Sequence, residues 1–341
     1  MNHINVADMQ ISSIPVSGIY ILKSHSIKPT KTGKKYLNVT ISDSSGEISG
    51  NLFGIEENPY SELEDGNIVN VSFVVGEYNG QKQITLQAIS AIKDINAVDI
   101  SDIVATSPER PETLFDEMYA TASSFTNDEL RKVCVKALQD NKANLLKYPG
   151  AKSVHHAGIG ELAYHMCGML RLAKQIAALY YDRINAELLF AGVILHDIKK
   201  IDEFETSKLG LVSDYSKRGK LLGHITMGME YIGDICRELE ISEETTTVLQ
   251  HMILSHHGKP EYGSPVYPMF IEAYLLNQID LIDSRVYMFN QTTKYMEDHT
   301  FSDKQYALDN VQVYKHNLNT SNIATAEMPL FTDFNDENSL F

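Results

Sequence analysis

The sequence predicts a multidomain protein: an N-terminal all-β barrel followed by an all-α domain. Three observations predict it. At about 150 residues per domain, a chain of 341 residues amounts to roughly two domains. The first ~95 residues are built of short segments rich in β-branched and aromatic residues. From Glu112 to about Asn290 apolar residues recur at three- and four-residue spacing instead, the period of a helix.

The first segments are Ile19–Leu22, Tyr36–Ile41, Ile48–Phe53, Ile68–Val75 and Gln83–Ile89, several alternating apolar and polar positions. Turn residues separate them at Pro29–Lys35, Asp43–Gly46, Asp65–Asn67 and Tyr78–Gly80, and Asn79-Gly80 has the composition of a tight hairpin. Five short strands in this space fit a small closed barrel of the OB-fold kind, placed at residues 1–95. Residues 96–111 carry Ser, Asp and Pro and read as a linker or strap. The helical domain is placed at 112–300. Leu114, Phe115 and Met118 share one helix face, as do Leu130, Val133 and Leu138. Further helices are expected over Ala157–Tyr181, Ala186–Leu195, Lys220–Leu239, Glu243–Ser255 and Met269–Asn290. Residues 301–341 form an acidic, Asn-rich extension with little periodicity, expected to be mobile in part.

Composition narrows the function classes. With 43% hydrophobic and 22% charged residues the chain is globular, neither disordered nor collagen-like. The longest apolar run, Leu188–Leu195, falls far short of the roughly 20 residues that span a bilayer, so no membrane partner is expected. Residues 1–10 lack a basic start followed by an apolar core, and so carry no secretory signal. Cys134, Cys167 and Cys236 are odd in number and widely spaced, which excludes a disulfide framework or a Cys-x-x-Cys metal knuckle and points to the reducing cytoplasm. The balance of 29 basic against 45 acidic residues, a net charge of −16, argues against a broad surface that coats nucleic acid. It leaves room for a local basic groove, or for metal ions that supply the positive charge.

Nine of the 12 histidines lie between His155 and His299. His165, His196-Asp197, His224, His251, His256-His257 and Asp280 offer imidazole nitrogen and carboxylate oxygen, the ligand set of Mn, Fe, Co or Zn. Any one helical histidine is ordinarily a core or surface residue; the contexts here are what set these apart. His196-Asp197 ends an apolar helix, His224 follows Leu221-Leu222-Gly223, and Asp280 sits inside an apolar helix, where a carboxylate is costly without a partner or a metal.

The order His, His-Asp, Asp over Ser153–Arg285 resembles the HD-domain metal-dependent phosphohydrolases. Finer strings, His155-His156-Ala157-Gly158-Ile159-Gly160-Glu161-Leu162-Ala163-Tyr164-His165, Leu221-Leu222-Gly223-His224-Ile225, His251-Met252-Ile253-Leu254-Ser255-His256-His257-Gly258 and Gly263-Ser264-Pro265, resemble the YhaM family of 3′-to-5′ exoribonucleases, which joins an OB-fold to an HD domain. Glu161 stands where that family is expected to carry a second glycine, and Lys199 where it carries a small residue.

The resemblance implies a function. His165, His196, Asp197 and Asp280 would hold one metal; His224 with His256 or His257, or both, would hold a second, Asp197 bridging the two. Two ions suit phosphodiester cleavage, one activating water and both stabilising charge on phosphoryl oxygens. Mn²⁺ is the activator the resemblance implies, with Fe, Co and Zn also admitted by the ligands. Lys200 would contact the scissile phosphate, Lys199 being a solvated neighbour; His155 would bind phosphate and His156 protonate the leaving oxygen. Gly263-Ser264-Pro265 would shape a loop near the cleft, with Ser264 touching the nucleotide; Glu272 would support a ligand histidine, and Asp283 would either orient a ligand or serve as a helix ion-pair partner.

An OB-fold holds single strands by stacking bases on aromatics beside cations. Tyr36, Phe53 and Tyr78 are the candidate stackers, with Lys28, Lys31, Lys34 and Lys35 as the basic rim; an aromatic in so small a barrel can equally fill its core. The implied reaction is metal-dependent release of nucleoside 5′-monophosphates from the 3′ end of single-stranded RNA, with single-stranded DNA and a homo-oligomer both open. Two rival readings share the motifs: a nucleotide or cyclic-dinucleotide phosphohydrolase, and a non-catalytic single-strand-binding protein. The first needs no OB-fold, and the second should have lost its ligands.

Overall fold

The computed structural model describes residues 3–30, 32–55, 60, 62–93, 103–104, 106–150, 158–206 and 212–318, apart from the side chain of Ser213. Strands β1 (Ser12–Pro29), β2 (Lys35–Asp43), β3 (Gly46–Ile55), β4 (Ile68–Tyr78) and β5 (Gln81–Ala91) close into a barrel in the order β1-β2-β3-β5-β4, an OB-fold. Neighbours are antiparallel except β3 and β5, whose short parallel contact pairs Gly50 with Ile84 and Asn51 with Thr85. Gly50 permits that closure: a Cβ there would stand 2.2 Å from the Ile84 carbonyl oxygen.

Alternation decides the core. Leu37, Val39 and Ile41 of β2 are fully buried, and they pack with Leu22, Val69, Val71, Phe73, Ile84 and Leu86. The turns follow their residues. Asp43 Oδ1 accepts from the N–H groups of Ser45 (2.7 Å) and Gly46 (3.2 Å), and Asn79 and Gly80 take φ of 54° and 77° in the hairpin between β4 and β5. Of the expected linker, Ile103 and Val104 pack on Ile21 and Ile68 of the barrel, and Thr106 bridges to Ile159. This stretch is a strap held down by apolar contact.

The helices are α1 (Pro111–Ser123), α2 (Asp128–Leu145), α3 (Glu161–Leu179), α4 (Ala186–Leu195), α5 (Lys200–Glu203), α6 (Lys217–Glu238), α7 (Glu243–Ser255) and α8 (Ile271–Thr293). Caps fix several starts. Asn185 accepts from Leu188 N–H at 3.0 Å, and Ser242 from Thr245 N–H at 3.3 Å. Glu161, at the start of α3, accepts from Gly158 N–H at 2.9 Å, which gives this departure from the family strings a physical role. A small hairpin, β6 (Phe204–Thr206) with β7 (Val212–Tyr215), follows α5. Another, β8 (Thr300–Gln305) with β9 (Val311–Lys315), occupies part of the expected acidic extension. It rests on α8 through buried Leu308 and Val313 and an Arg285–Asp309 ion pair of 2.7 Å.

The chain forms two compact units. The first takes Met1–Ala120, Ala137–Cys167 and Asp197–Met227, and so holds the barrel, His165, Asp197, α5 and His224. The second takes Thr121–Lys136, Gly168–His196 and Gly228–Phe341; in it α4, α7 and α8 pack together. Among the described residues no helix is long and apolar enough to cross a membrane.

Candidate metal centre

Within the first unit Asp197 is the hub. It is 1% exposed, at the step between α4 and α5. Its Oδ2 lies 3.6 Å from His165 Nε2 and its Oδ1 lies 3.4 Å from His224 Nε2, so each carboxylate oxygen faces a different imidazole. Two ligands each about 2.1 Å from one ion stand roughly 3.0–3.4 Å apart, depending on coordination geometry. The observed spacings are close to that range. Lys200, one helical turn on, brings Nζ to 2.6 Å from Asp197 Oδ2 while itself being 8% exposed. A cation and a carboxylate buried together offset each other's desolvation.

His224 reaches Asp197 through an interruption in α6. Gly223 has φ 69° and ψ 161°, a conformation essentially closed to residues with a Cβ. The turn it makes delivers His224 to Glu203: the ring Nδ1 lies 2.9 Å from Glu203 Oε2, and the main-chain N–H donates to Oε1 at 3.1 Å. Sequence reasoning missed Glu203. Its spacing from Lys200 is that of an ordinary helix ion pair, and nothing in the linear sequence marks a partner 21 residues away.

In the second unit the histidine rings are set by carbonyl oxygens. His196 Nδ1 donates to Val193 O at 2.8 Å, His256 Nδ1 to Ile253 O at 2.6 Å, and His257 Nδ1 to Tyr262 O at 2.8 Å. A carbonyl only accepts, so in each ring the proton sits on Nδ1 and Nε2 keeps its lone pair for a metal. The rings of His196 and His256 lie 5.1 Å apart and those of His256 and His257 4.2 Å apart. Half-buried Asp280, on α8, brings a ligand atom within 4.8 Å of one on His196. Asn277, a turn earlier, donates to the His256 carbonyl at 2.7 Å.

The remaining expected residues have their own surroundings. Ser264 is fully buried and accepts from His257 N–H at 3.0 Å, so its hydroxyl shapes the loop that presents that histidine. Glu272 accepts from Asn185 N–H at 2.6 Å, which anchors the start of α4 rather than a ligand histidine. His251 Nε2 accepts from Met269 N–H at 3.0 Å, with its ring against Phe270; burial lowers its pKa. Lys199 pairs with Asp202 and is only 15% exposed, rather than free in solvent. Asp283 lies against α3, its Oδ1 3.1 Å from where a Cβ on Gly168 would be. His155, His156 and Lys31 lie outside the described residues.

On the barrel, Tyr36 and Phe53 face each other across β2 and β3, ring centroids 5.5 Å apart. Phe53 is 57% and Tyr78 68% exposed, so neither serves the core. Lys34 and Lys35 are exposed at the start of β2, and Lys28 donates to Asn38 at 3.1 Å.

The donor set of imidazole nitrogen and carboxylate oxygen fits a borderline divalent ion such as Mn, Fe, Co or Zn. The HD domain family model matches residues 162–285. The 3′-5′ exoribonuclease YhaM of Halalkalibacterium halodurans is 33% identical over 299 residues, 88% of this chain and 92% of that protein. The protein of the same name from Oceanobacillus iheyensis is 34% identical over 302 residues, 88% of this chain and 94% of that one. Among solved structures, the second OB-fold domain of replication protein A from Methanococcus maripaludis is 18% identical, covers 27% of this chain and 97% of that one, and has a TM-score of 0.23.

Proposed function

The chain belongs to the YhaM family of 3′-5′ exoribonucleases, and we propose that it shortens single-stranded RNA from the 3′ end by hydrolysis dependent on divalent metal, releasing nucleoside 5′-monophosphates. The observation that carries the metal-dependent reading is the split of the Asp197 carboxylate, one oxygen toward His165 and the other toward His224. Two sets of candidate ligands support it, each within its own unit: Asp197 with His165 and His224 in the first, and His196, His256, His257 and Asp280 in the second. In this reading Asp197 would help to hold two ions, with Mn²⁺ the first to test. Such ions, when bound, supply Lewis acidity and an activated water.

The chain's own residues do the rest. The Nδ1–H contacts of His196, His256 and His257 hold each ring with its lone pair ready, so no reorientation is needed on loading. Lys200 is the cation for the scissile phosphate. Its pairing with Asp197 holds the ammonium beside that carboxylate, and a phosphoryl oxygen offers it an alternative anionic partner. Tyr36, Phe53 and Tyr78, beside Lys34 and Lys35, take the bases of the upstream strand.

The test uses 3′- and 5′-labelled single-stranded RNA with Mn²⁺ or EDTA. The expected result is stepwise loss from the 3′ end with Mn²⁺ only, no product from Asp197→Ala, and a rate about 100- to 1000-fold lower for Lys200→Met, the scale for removing one transition-state donor. Single-stranded DNA in the same assay settles sugar preference. RNA that is bound but never shortened with Mn, Fe, Co or Zn sinks the nuclease reading.

A further inference from the structure

Helix α5 is only four residues long, yet both its ends reach the candidate centre. Lys200 turns to Asp197, and Glu203, three residues later on the same face, turns to His224. The backbone around it is held on several sides. Lys200 N–H donates to Asp197 O at 2.9 Å, and Ser216 N–H donates to Glu203 O at 2.8 Å. Ser216 Oγ donates to Asp202 O at 2.7 Å, and Tyr148 Oη to Phe204 O at 3.0 Å. Glu203 itself is 7% exposed. A carboxylate so buried needs donors, and His224 supplies two of them, one from the ring and one from the main chain.

We infer that Glu203 is the positioning residue of the second metal subsite: it fixes which nitrogen of His224 is offered to the ion and how strongly that nitrogen binds. The inference rests on the two-ion reading above. An ionised carboxylate only accepts, so the His224 proton belongs on Nδ1, and Nε2 keeps its lone pair on the side of Asp197 Oδ1, 3.4 Å away. His196, His256 and His257 are oriented by neutral backbone carbonyls. His224 is oriented by a carboxylate, which places another anion next to the ion it would hold. The two hydrogen bonds also discriminate between carboxylate and amide. A glutamine could accept with one atom only, leaving one His224 donor without its acceptor and removing the charge.

The experiment counts Mn²⁺ bound to the metal-free full-length chain, using the EPR signal of the free ion, for wild type, Glu203→Gln, Glu203→Asp and His224→Ala. Two ions are expected on the wild type and one on His224→Ala. Glu203→Gln should keep the tighter site and weaken the other about 10- to 100-fold, the usual cost of losing an outer partner of a metal-bound histidine. Glu203→Asp, which keeps the charge at shorter reach, should lie between. Thermal unfolding without metal separates binding from folding, and if Glu203→Gln does not fold then Glu203→Asp carries the test. Wild-type affinity at both sites in the Glu203 variants, with one site lost in His224→Ala, overturns the positioning role and leaves the two-ion reading standing. Two wild-type sites in His224→Ala overturn both.

Discussion

The Glu203 carboxylate brackets His224, accepting from its ring at 2.9 Å and from its main-chain N–H at 3.1 Å. The bracket is possible only because the chain turns at the residue just before the histidine. Without the kink at Gly223, His224 would continue the helical path of α6, and its N–H would seek the carbonyl four residues back. A residue chosen for backbone freedom thus decides where the His224 ring points.

Gly223→Ala is therefore expected to act on both stability and activity. The φ of 69° and ψ of 161° strain any residue with a Cβ by about 1–3 kcal/mol. A Cβ there would meet little steric resistance, its nearest neighbour being Glu203 Oε1 at 3.7 Å, so the strain is in the backbone itself. Thermal unfolding should show the loss without metal, and Mn²⁺-dependent RNA shortening should fall further than stability alone accounts for. Unchanged melting and unchanged rate would remove the kink from the account.

Phe53→Ala and Tyr36→Ala should weaken binding to long single-stranded RNA by about 1–3 kcal/mol each, the range for one stacked base. Hydrolysis of a dinucleotide, which has no upstream strand for the barrel to hold, should keep its rate. Fluorescence anisotropy and a dinucleotide assay run side by side distinguish this from general damage. Equal losses on both substrates would count against a stacking role for half-buried Tyr36 and exposed Phe53.

The His251–Met269 contact should depend on pH. Burial lowers the His251 pKa below its ordinary value of 6.5, and Nε2 must be unprotonated to accept from the Met269 N–H. The unfolded chain then binds the proton more readily than the folded one, so the contact's contribution is complete above pH 6.5 and is lost as pH falls through the lower, folded value. Hydrogen exchange at the Met269 amide, corrected for intrinsic rates, should show protection that declines on acidification. Constant protection from pH 7 to pH 5 would contradict it.

How far the sequence could be read depended on where the information lay. Helices α4 and α7 begin and end where periodicity and capping residues place them, because Asn185 and Ser242 sit directly before apolar-patterned runs. Strand β1 runs well beyond its expected core of Ile19–Leu22, to Ser12 and Pro29, because its ends are exposed and lack alternation. The β8–β9 hairpin was concealed by polar, charged strands; its signals were the Asp309-Asn310 turn, both residues at positive φ, and the Val311-Gln312-Val313 alternation. At the candidate centre the histidines and aspartates stood out as residue types in patterned strings. Glu203, Asn277 and the true partner of Glu272 did not, because each acts through a contact that joins distant parts of the chain.

Barrel closure at Gly50 bears on how the chain behaves in a crowded cell. A sheet that closes on itself offers no row of unpaired N–H and C=O groups to a neighbour. A side chain at position 50 that held β3 off β5 would expose two edges at once, flanked by the apolar residues of the barrel core. The damage would then pass from one molecule to the next: the opened barrel becomes a template on which other copies exchange strands, and the first symptom would be insoluble material rather than a slow enzyme.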